Sequence, residues 1–315
     1  MTAGEPADPA SADPTDAGLD DFVRHRDLLF TIAYEITGSV ADAEDVVQES
    51  YLRWQEAMAG KAGATEIRHP RAYLARIATR QALNRNRGNA RRREEYVGPW
   101  LPEPLVTVPD VAEDAVLAES VSMAMMVVLD SLTPDERAVF VLREVFAFGH
   151  DEIAEAIGKT PVAVRQIAHR ARSGVQARRP SLDEGAPRST AAQQVAERFL
   201  RAATTGKLQD LLDVLAPDVV LTSDGGGKVS AGLRPICTAD KVGRFLIGIQ
   251  AKGYGGPVRI EPVLVNGRAG ILGYVGDVLD TVLTWDVVDD RIAAIYLVRN
   301  PDKVRAAERP QSVTR

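Results

Sequence analysis

The chain has 315 residues, 45% hydrophobic and 26% charged, the proportions of an ordinary soluble protein with two or three domains. Its 38 basic and 44 acidic residues leave a net charge of −6, which excludes a uniformly basic nucleic-acid binder. Cys237 is the only cysteine and no apolar run approaches the roughly 20 residues of a membrane span, so intramolecular disulfides, Cys-based metal sites and a membrane partner are excluded and a reducing cytoplasm is expected.

Residues 1–18 are mostly Ala, Pro, Asp, Ser and Gly; they are expected to bury no core and to be a disordered leader without signal-peptide character. Helical patterning begins near Asp20, with Phe22, Leu29, Ile32, Ala33 and Ile36 on one face. A second helix follows Gly38, with Ser39 as N-cap. Its apolar stripe is Ala43, Val46, Val47, Tyr51 and Trp54, and its opposite face carries Asp42, Asp45, Gln48, Glu49, Leu52 and Glu56. Residues 60–69 read as a loop. Pro70 opens a third helix whose core stripe is Tyr73, Leu74, Ile77, Ala78 and Gln81, and which runs into the basic segment ending near Arg93.

Four prolines within 96–112 predict an extended linker. Helical patterning resumes at Glu113 and lasts to Arg179, with Thr133-Pro134-Asp135-Glu136 as a capping box. Between His150 and Ala171 the pattern is that of a helix-turn-helix. Ile153, Ala154 and Ile157 face inward, Gly158-Lys159 turns, Thr160 caps and Pro161 starts the next helix, and Val164, Ile167, Ala168 and Ala171 face inward again. The outward residues Arg165, Gln166, His169, Arg170 and Arg172 suit base edges and phosphates in a major groove; the alternative is an αα-hairpin with a solvated basic face.

After a second linker the pattern changes to helices at about 189–205 and 207–215, then alternating β-branched runs at 219–222, 258–265, 271–275, 281–288 and 292–298, interrupted by a helix near 241–250. The expected architecture is multi-domain, two all-α units followed by an α+β cone. The divisions are a leader (1–18), a helical domain (19–95), a linker (96–112), a helix-turn-helix domain (113–180), a linker (181–188), the cone (189–304) and a tail (305–315).

Residues 42–54, Asp-Ala-Glu-Asp-Val-Val-Gln-Glu-Ser-Tyr-Leu-Arg-Trp, resemble region 2.2 of the sigma-70 family. Residues 71–84 resemble regions 2.3 and 2.4, and residues 132–172 resemble region 4. With only these regions the chain resembles an extracytoplasmic-function sigma factor. Trp100-Leu-Pro-Glu-Pro104, Asp224-Gly-Gly-Gly-Lys228 and Asn300-Pro-Asp-Lys-Val304 resemble the signatures of a group with a SnoaL-like, NTF2-type extension, with Val304 where that motif ends in leucine.

The resemblance implies binding to RNA polymerase core through Asp45, Gln48, Glu49 and Leu52. It implies contact with −35 promoter DNA through Arg165, Gln166, His169, Arg170 and Arg172, and with −10 DNA through Arg76, Arg80, Asn84 and the loop 60–69. Arg71, Arg85 and Arg87 would add phosphate contacts.

In the cone, Asp224–Lys228 is not a phosphate-binding loop, because the spacing and the following Ser or Thr are missing, and its glycines are expected to form a mobile turn. Asp277, Asp280, Trp285 and Asp286 are candidate pocket residues, but no nucleophile–base pair is evident and no histidine follows His169. No catalytic residue, metal site or cofactor is expected. A small molecule is a candidate ligand of the cone, and Trp100, Asp224, Lys228, Asn300 and Asp302 are candidate regulatory contacts between cone and linker. The competing readings are a ligand-sensing helix-turn-helix repressor, which leaves residues 42–84 unexplained, and an enzyme in the cone.

Overall fold

The computed structural model describes residues 14–59, 67–108, 114–178, 190–252 and 255–315. The expected loop at 60–69, the linker at 181–188 and most of the leader therefore lie largely outside the described residues. Helix α1 (Pro14–Thr37) starts within the stretch read as leader. Proline suits a first helical position, and the carbonyl of buried Gly18 accepts a 2.6 Å hydrogen bond from the Trp54 indole, so the start of the helix is tied to its neighbour.

Helix α2 (Val40–Met58) is capped by the Ser39 hydroxyl, which accepts from the amide of Asp42, and α3 spans Pro70–Glu94. The three helices bury Leu29, Ile32, Ile36, Val46, Trp54, Leu74 and Ala78 against one another. Tyr73, Ile77 and Gln81 sit at the edge of this bundle, half-buried.

Helices α4 (Ala115–Ser120), α5 (Met123–Leu129), α6 (Pro134–Phe140), α7 (His150–Ile157) and α8 (Pro161–Arg178) form the second helical unit. Thr133 and Glu136 form the expected reciprocal capping box at α6. A π-helical turn over Val141–Val145, for which the sequence carries no signal, follows it. Gly158 ends α7 in the left-handed conformation at φ 71°, where a side chain would be strained. The two helical units share one apolar core, in which Phe146, Phe148 and Ile153 are continuous with residues of α1 and α3.

The C-terminal unit is a six-stranded sheet with helices α9 (Thr190–Thr205), α10 (Leu208–Leu212) and α11 (Ala239–Lys252). Its strands are β1 (Leu215–Asp224), β2 (Ile236–Cys237), β3 (Val258–Val265), β4 (Arg268–Val275), β5 (Val278–Val288) and β6 (Arg291–Val298). The order is β2-β1-β6-β5-β4-β3, with β1 and β6 parallel and the other pairs antiparallel. This mixed sheet behind two helical units is the fold class expected, with the short β2 added.

One face packs Leu221, Leu283, Trp285 and Ile295 on Phe199 and Val242 of the helices. The other packs Val265, Leu272 and Val282 on Val106 of the linker and on Val304 and Ala307. Val304 lies in the last short helix, α12 (Pro301–Val304). Among the described residues no helix is long and apolar enough to cross a membrane.

Candidate functional site

Helix α8 presents Arg165, Gln166, His169, Arg170 and Arg172 to solvent while Val164, Ile167 and Ala171 are buried beneath. The first four line one open depression. Arg170 reaches Glu136 of the α6 capping box at 3.3 Å and Arg172 reaches Glu144 at 3.1 Å, but both guanidinium side chains keep more than half their surface exposed. Such pairs are weak and easily exchanged for phosphates.

The stripe on α2 divides in two. Gln48 and Leu52, 59% exposed, border a groove with Phe22, Arg26, Glu44 and Tyr51. Asp45 and Glu49 face α3 instead, where Arg85 bonds them at 2.9 and 2.5 Å. Asp42 accepts from Asn89 at 2.6 Å. Arg85 is thus occupied within the bundle rather than turned to a phosphate.

On α3, Arg76, Arg80 and Asn84 follow at helical spacing. Asn84 is exposed. Arg76 pairs with Glu155 of α7 at 3.3 Å. Arg80 donates to the carbonyls of Glu155 and Ala156 at 2.7 and 3.1 Å.

The three dispersed motifs meet at one buried node. Asp224, at the end of β1, is fully buried and pairs with Lys303 of α12 at 2.7 Å. The carboxylate also accepts from the Tyr96 hydroxyl at 2.5 Å and from the Leu101 amide at 2.9 Å. Lys303 donates to the Leu101 carbonyl at 2.6 Å, and its ammonium lies 3.2 Å from the centre of the Trp100 ring and 4.7 Å from that of Tyr96. Burial lowers the Lys303 pKa against the pull of Asp224, and burial with the Asp224 hydrogen bond holds the Tyr96 hydroxyl well above its ordinary range.

Asn300 caps α12 and donates to Tyr96 at 2.7 Å. Lys228 and Asp302 pair with each other at the surface, outside the node. The glycine run forms a turn packed against its neighbours: Gly226, at φ 60°, lies so close to Asn300 that a Cβ would fall 2.4 Å from its amide nitrogen, and Gly227 packs on Val97.

Sequence reasoning missed Lys303 and Tyr96. Asn300-Pro-Asp-Lys-Val304 contains Lys303, but lysine is rarely buried, and its partners lie 79 and 202 residues away. The candidate pocket residues do not converge: Trp285 is in the core, Asp280 is held by Arg299 at 2.8 Å, and Asp286 points from the opposite face toward Tyr296.

Two family models match the chain, sigma-70 region 2 over residues 22–92 and sigma-70 region 4 over residues 122–173. The chain is 39% identical to the ECF RNA polymerase sigma factor SigJ of Mycobacterium tuberculosis, over 90% of this chain and 92% of that protein. It is 30% identical to the probable ECF RNA polymerase sigma factor SigI of the same species, over 90% and 94%. The crystal structure of Mycobacterium tuberculosis SigJ superposes with a TM-score of 0.72 at 34% identity, covering 92% of this chain and 99% of that one.

Proposed function

The chain belongs to the ECF RNA polymerase sigma factors, and from that premise we propose how its parts divide the work of transcription initiation. It is an initiation factor and not an enzyme. Helix α8 reads the −35 element through Arg165, Gln166, His169, Arg170 and Arg172. Helix α3 takes the −10 element through Arg76, Arg80 and Asn84. The polymerase core is received by Gln48 and Leu52 at the α1–α2 groove and by the acids Asp45 and Glu49 on the adjoining face toward α3. Cytoplasmic location follows from where polymerase acts.

The cone regulates by holding the linker between the two promoter-reading units. The observation that carries this reading is the buried Asp224–Lys303 pair closed around Tyr96, Trp100 and Leu101. Breaking that pair would leave an uncompensated buried ion, so the cone and the linker separate only at a cost. A small molecule is a candidate input. Entering beside Phe245, Ile249 and Ile271, which pack at the margin of the sheet–helix core, it would act on β1 and β6, whose ends carry Asp224 and Asn300.

Run-off transcription with core polymerase tests the division. The full chain is expected to initiate at its promoter, and a chain ending at Arg179 is expected to differ in output while still binding core. Asp45→Lys with Glu49→Lys is expected to weaken core binding in a pull-down with an unchanged circular dichroism spectrum. Identical output from full and truncated chains would remove the regulatory role of the cone.

A further inference from the structure

We propose that the cone carries a homodimer interface: the outer edge of β3 over Val258–Pro262 pairs antiparallel with the same edge of a second copy of this chain, about a two-fold axis at Ile260. The surface uses none of the residues assigned to DNA or to the polymerase core.

Strand β3 is the last of the sheet, so one side of its backbone has no neighbour within the sheet. The linker shows which residues turn their amides and carbonyls to that side. At the tip of the β3–β4 hairpin the Leu264 carbonyl accepts from the Thr107 amide at 2.9 Å, and the Asn266 amide donates to the Leu105 carbonyl at 2.7 Å. Even-numbered residues therefore face outward, and the unbroken register of β3 with β4 carries that alternation down to Val258. The tip itself is closed. The buried Asn266 side chain donates to the Tyr34 hydroxyl of α1 at 2.7 Å and to the Val121 carbonyl, between α4 and α5, at 2.8 Å. The other half of the strand, Val258–Pro262, is exposed throughout and has no strand on its outer side among the described residues.

That half is also apolar on one face. Val258 and Ile260 are 48% and 43% exposed. Val258 stands in one row with Val275 and with Val278, which is 70% exposed. An open edge beside uncovered valine and isoleucine is a template for strand addition.

The charges of the other face select the partner and the register. Pairing a strand with its own copy sets outward residues opposite outward residues, so the axis can pass through Arg259, Ile260 or Glu261. An axis at Arg259 sets two guanidinium groups together, and an axis at Glu261 two carboxylates. An axis at Ile260 sets Arg259 opposite Glu261 of the second copy, and does so twice. Both side chains are half exposed and lie on one face, joined along the strand at 2.9 Å, with Arg259 stacked 3.8 Å over the Tyr274 ring. In this register Ile260 exchanges amide and carbonyl with its copy, and the Val258 amide donates to the Pro262 carbonyl of the second copy. Pro262 has no amide to donate, which an outward edge position tolerates, and here it serves as an acceptor. Ile260 meets its copy and Val258 meets Pro262 on the apolar face. The contact is short, so the dimer is expected to be reversible.

Sedimentation velocity of the full chain, carrying Cys237→Ser to prevent disulfide joining, tests this over nanomolar to submillimolar protein. Monomer is expected to give way to dimer as concentration rises. Hydrogen exchange of the β3 peptide is expected to slow in step, because the Val258 and Ile260 amides leave solvent. Arg259→Glu or Glu261→Arg, each with an unchanged circular dichroism spectrum, is expected to raise the dissociation constant about tenfold, two attractive cross-strand pairs having become repulsive. Mixing the two variants is expected to restore association. The first brings only carboxylates and the second only guanidinium groups to these positions, so their heterodimer regains both pairs. A chain that stays monomeric at every concentration overturns the proposal. So does a dimer that neither variant weakens, or a weakened one that mixing does not restore. If a variant does not fold, exchange in the unsubstituted β3 decides: slowing at β3 on association supports the edge, and association without it overturns the edge.

Discussion

Lys303 and Lys228 lie in neighbouring motifs and both meet an aspartate, yet their surroundings make them very different residues. Lys228 and Asp302 remain more than half exposed, so Lys228→Ala is expected to change unfolding free energy by less than about 1 kcal/mol. Lys303 is 4% exposed against a fully buried Asp224, so Lys303→Met strands a carboxylate away from water. The expected loss is about 3 kcal/mol in urea unfolding, and Asp224→Asn in the same chain should recover much of it. A loss no greater than that of Lys228→Ala would show that water reaches the node. Glu35 gives a second test. It is fully buried on α1 beside Ser120 of α4 and Arg137 of α6, and burial pushes its pKa up from 4.5 to about 8, against the pull of the Ser120 hydroxyl and of Arg137. Below about pH 4.5 the carboxyl is protonated folded and unfolded alike. Between there and about pH 8 the folded chain keeps a proton that the unfolded chain releases, so stability falls as pH rises, by up to about 1.4 kcal/mol per unit. Glu35→Gln should flatten that slope between pH 5 and 8; an unaltered slope would assign it to another group.

Helix boundaries were the most legible elements because their signals are local. Ser39 caps α2, Thr133 and Glu136 close the α6 box, and Gly158 takes the left-handed turn, each within three residues of what it satisfies. The α6 box does more than start a helix: Glu136 also holds Arg170 of α8, so one carboxylate joins the cap to the recognition surface. Thr133→Ala is therefore expected to cost about 1 kcal/mol in thermal melting. What stayed illegible was non-local. Asn266-Gly267 reads as a turn, but nothing near it announces that its amide reaches Tyr34, 232 residues away. The acidic stripe on α2 reads as one surface, whereas half of it is spoken for by Arg85 from another helix. The π-turn at Val141–Val145 has no compositional mark, and the start of α1 was hidden by a leader-like composition whose anchor is the distant Trp54.

At the scale of the whole molecule the chain closes on itself. The last residues, set apart in the sequence as a tail, return across the linker to the helical units. The Gln311 amide donates to the Val106 carbonyl at 2.9 Å, and the Thr314 amide to the Thr31 hydroxyl of α1 at 3.1 Å. Val313 is 4% exposed and belongs to the core shared by both helical units, and Arg315 pairs with Asp114, the N-cap of α4. This strap and the Asn266 hairpin engage α1 and the entry to region 4 from different parts of the chain, so helical stability should depend on residues far outside the two sigma regions. Burying a valine side chain is worth about 1.5–3 kcal/mol, and each backbone bond adds about 1. A chain ending at Arg309 should therefore lose about 3 kcal/mol in urea unfolding followed by helical ellipticity, and Val313→Ala about half of that. The loss must appear in the transition of the helical units and not only in that of the sheet. If the truncated chain melts with unchanged helical stability, the strap is a passenger, and the shared core of α1, α3 and α7 holds the two units without it.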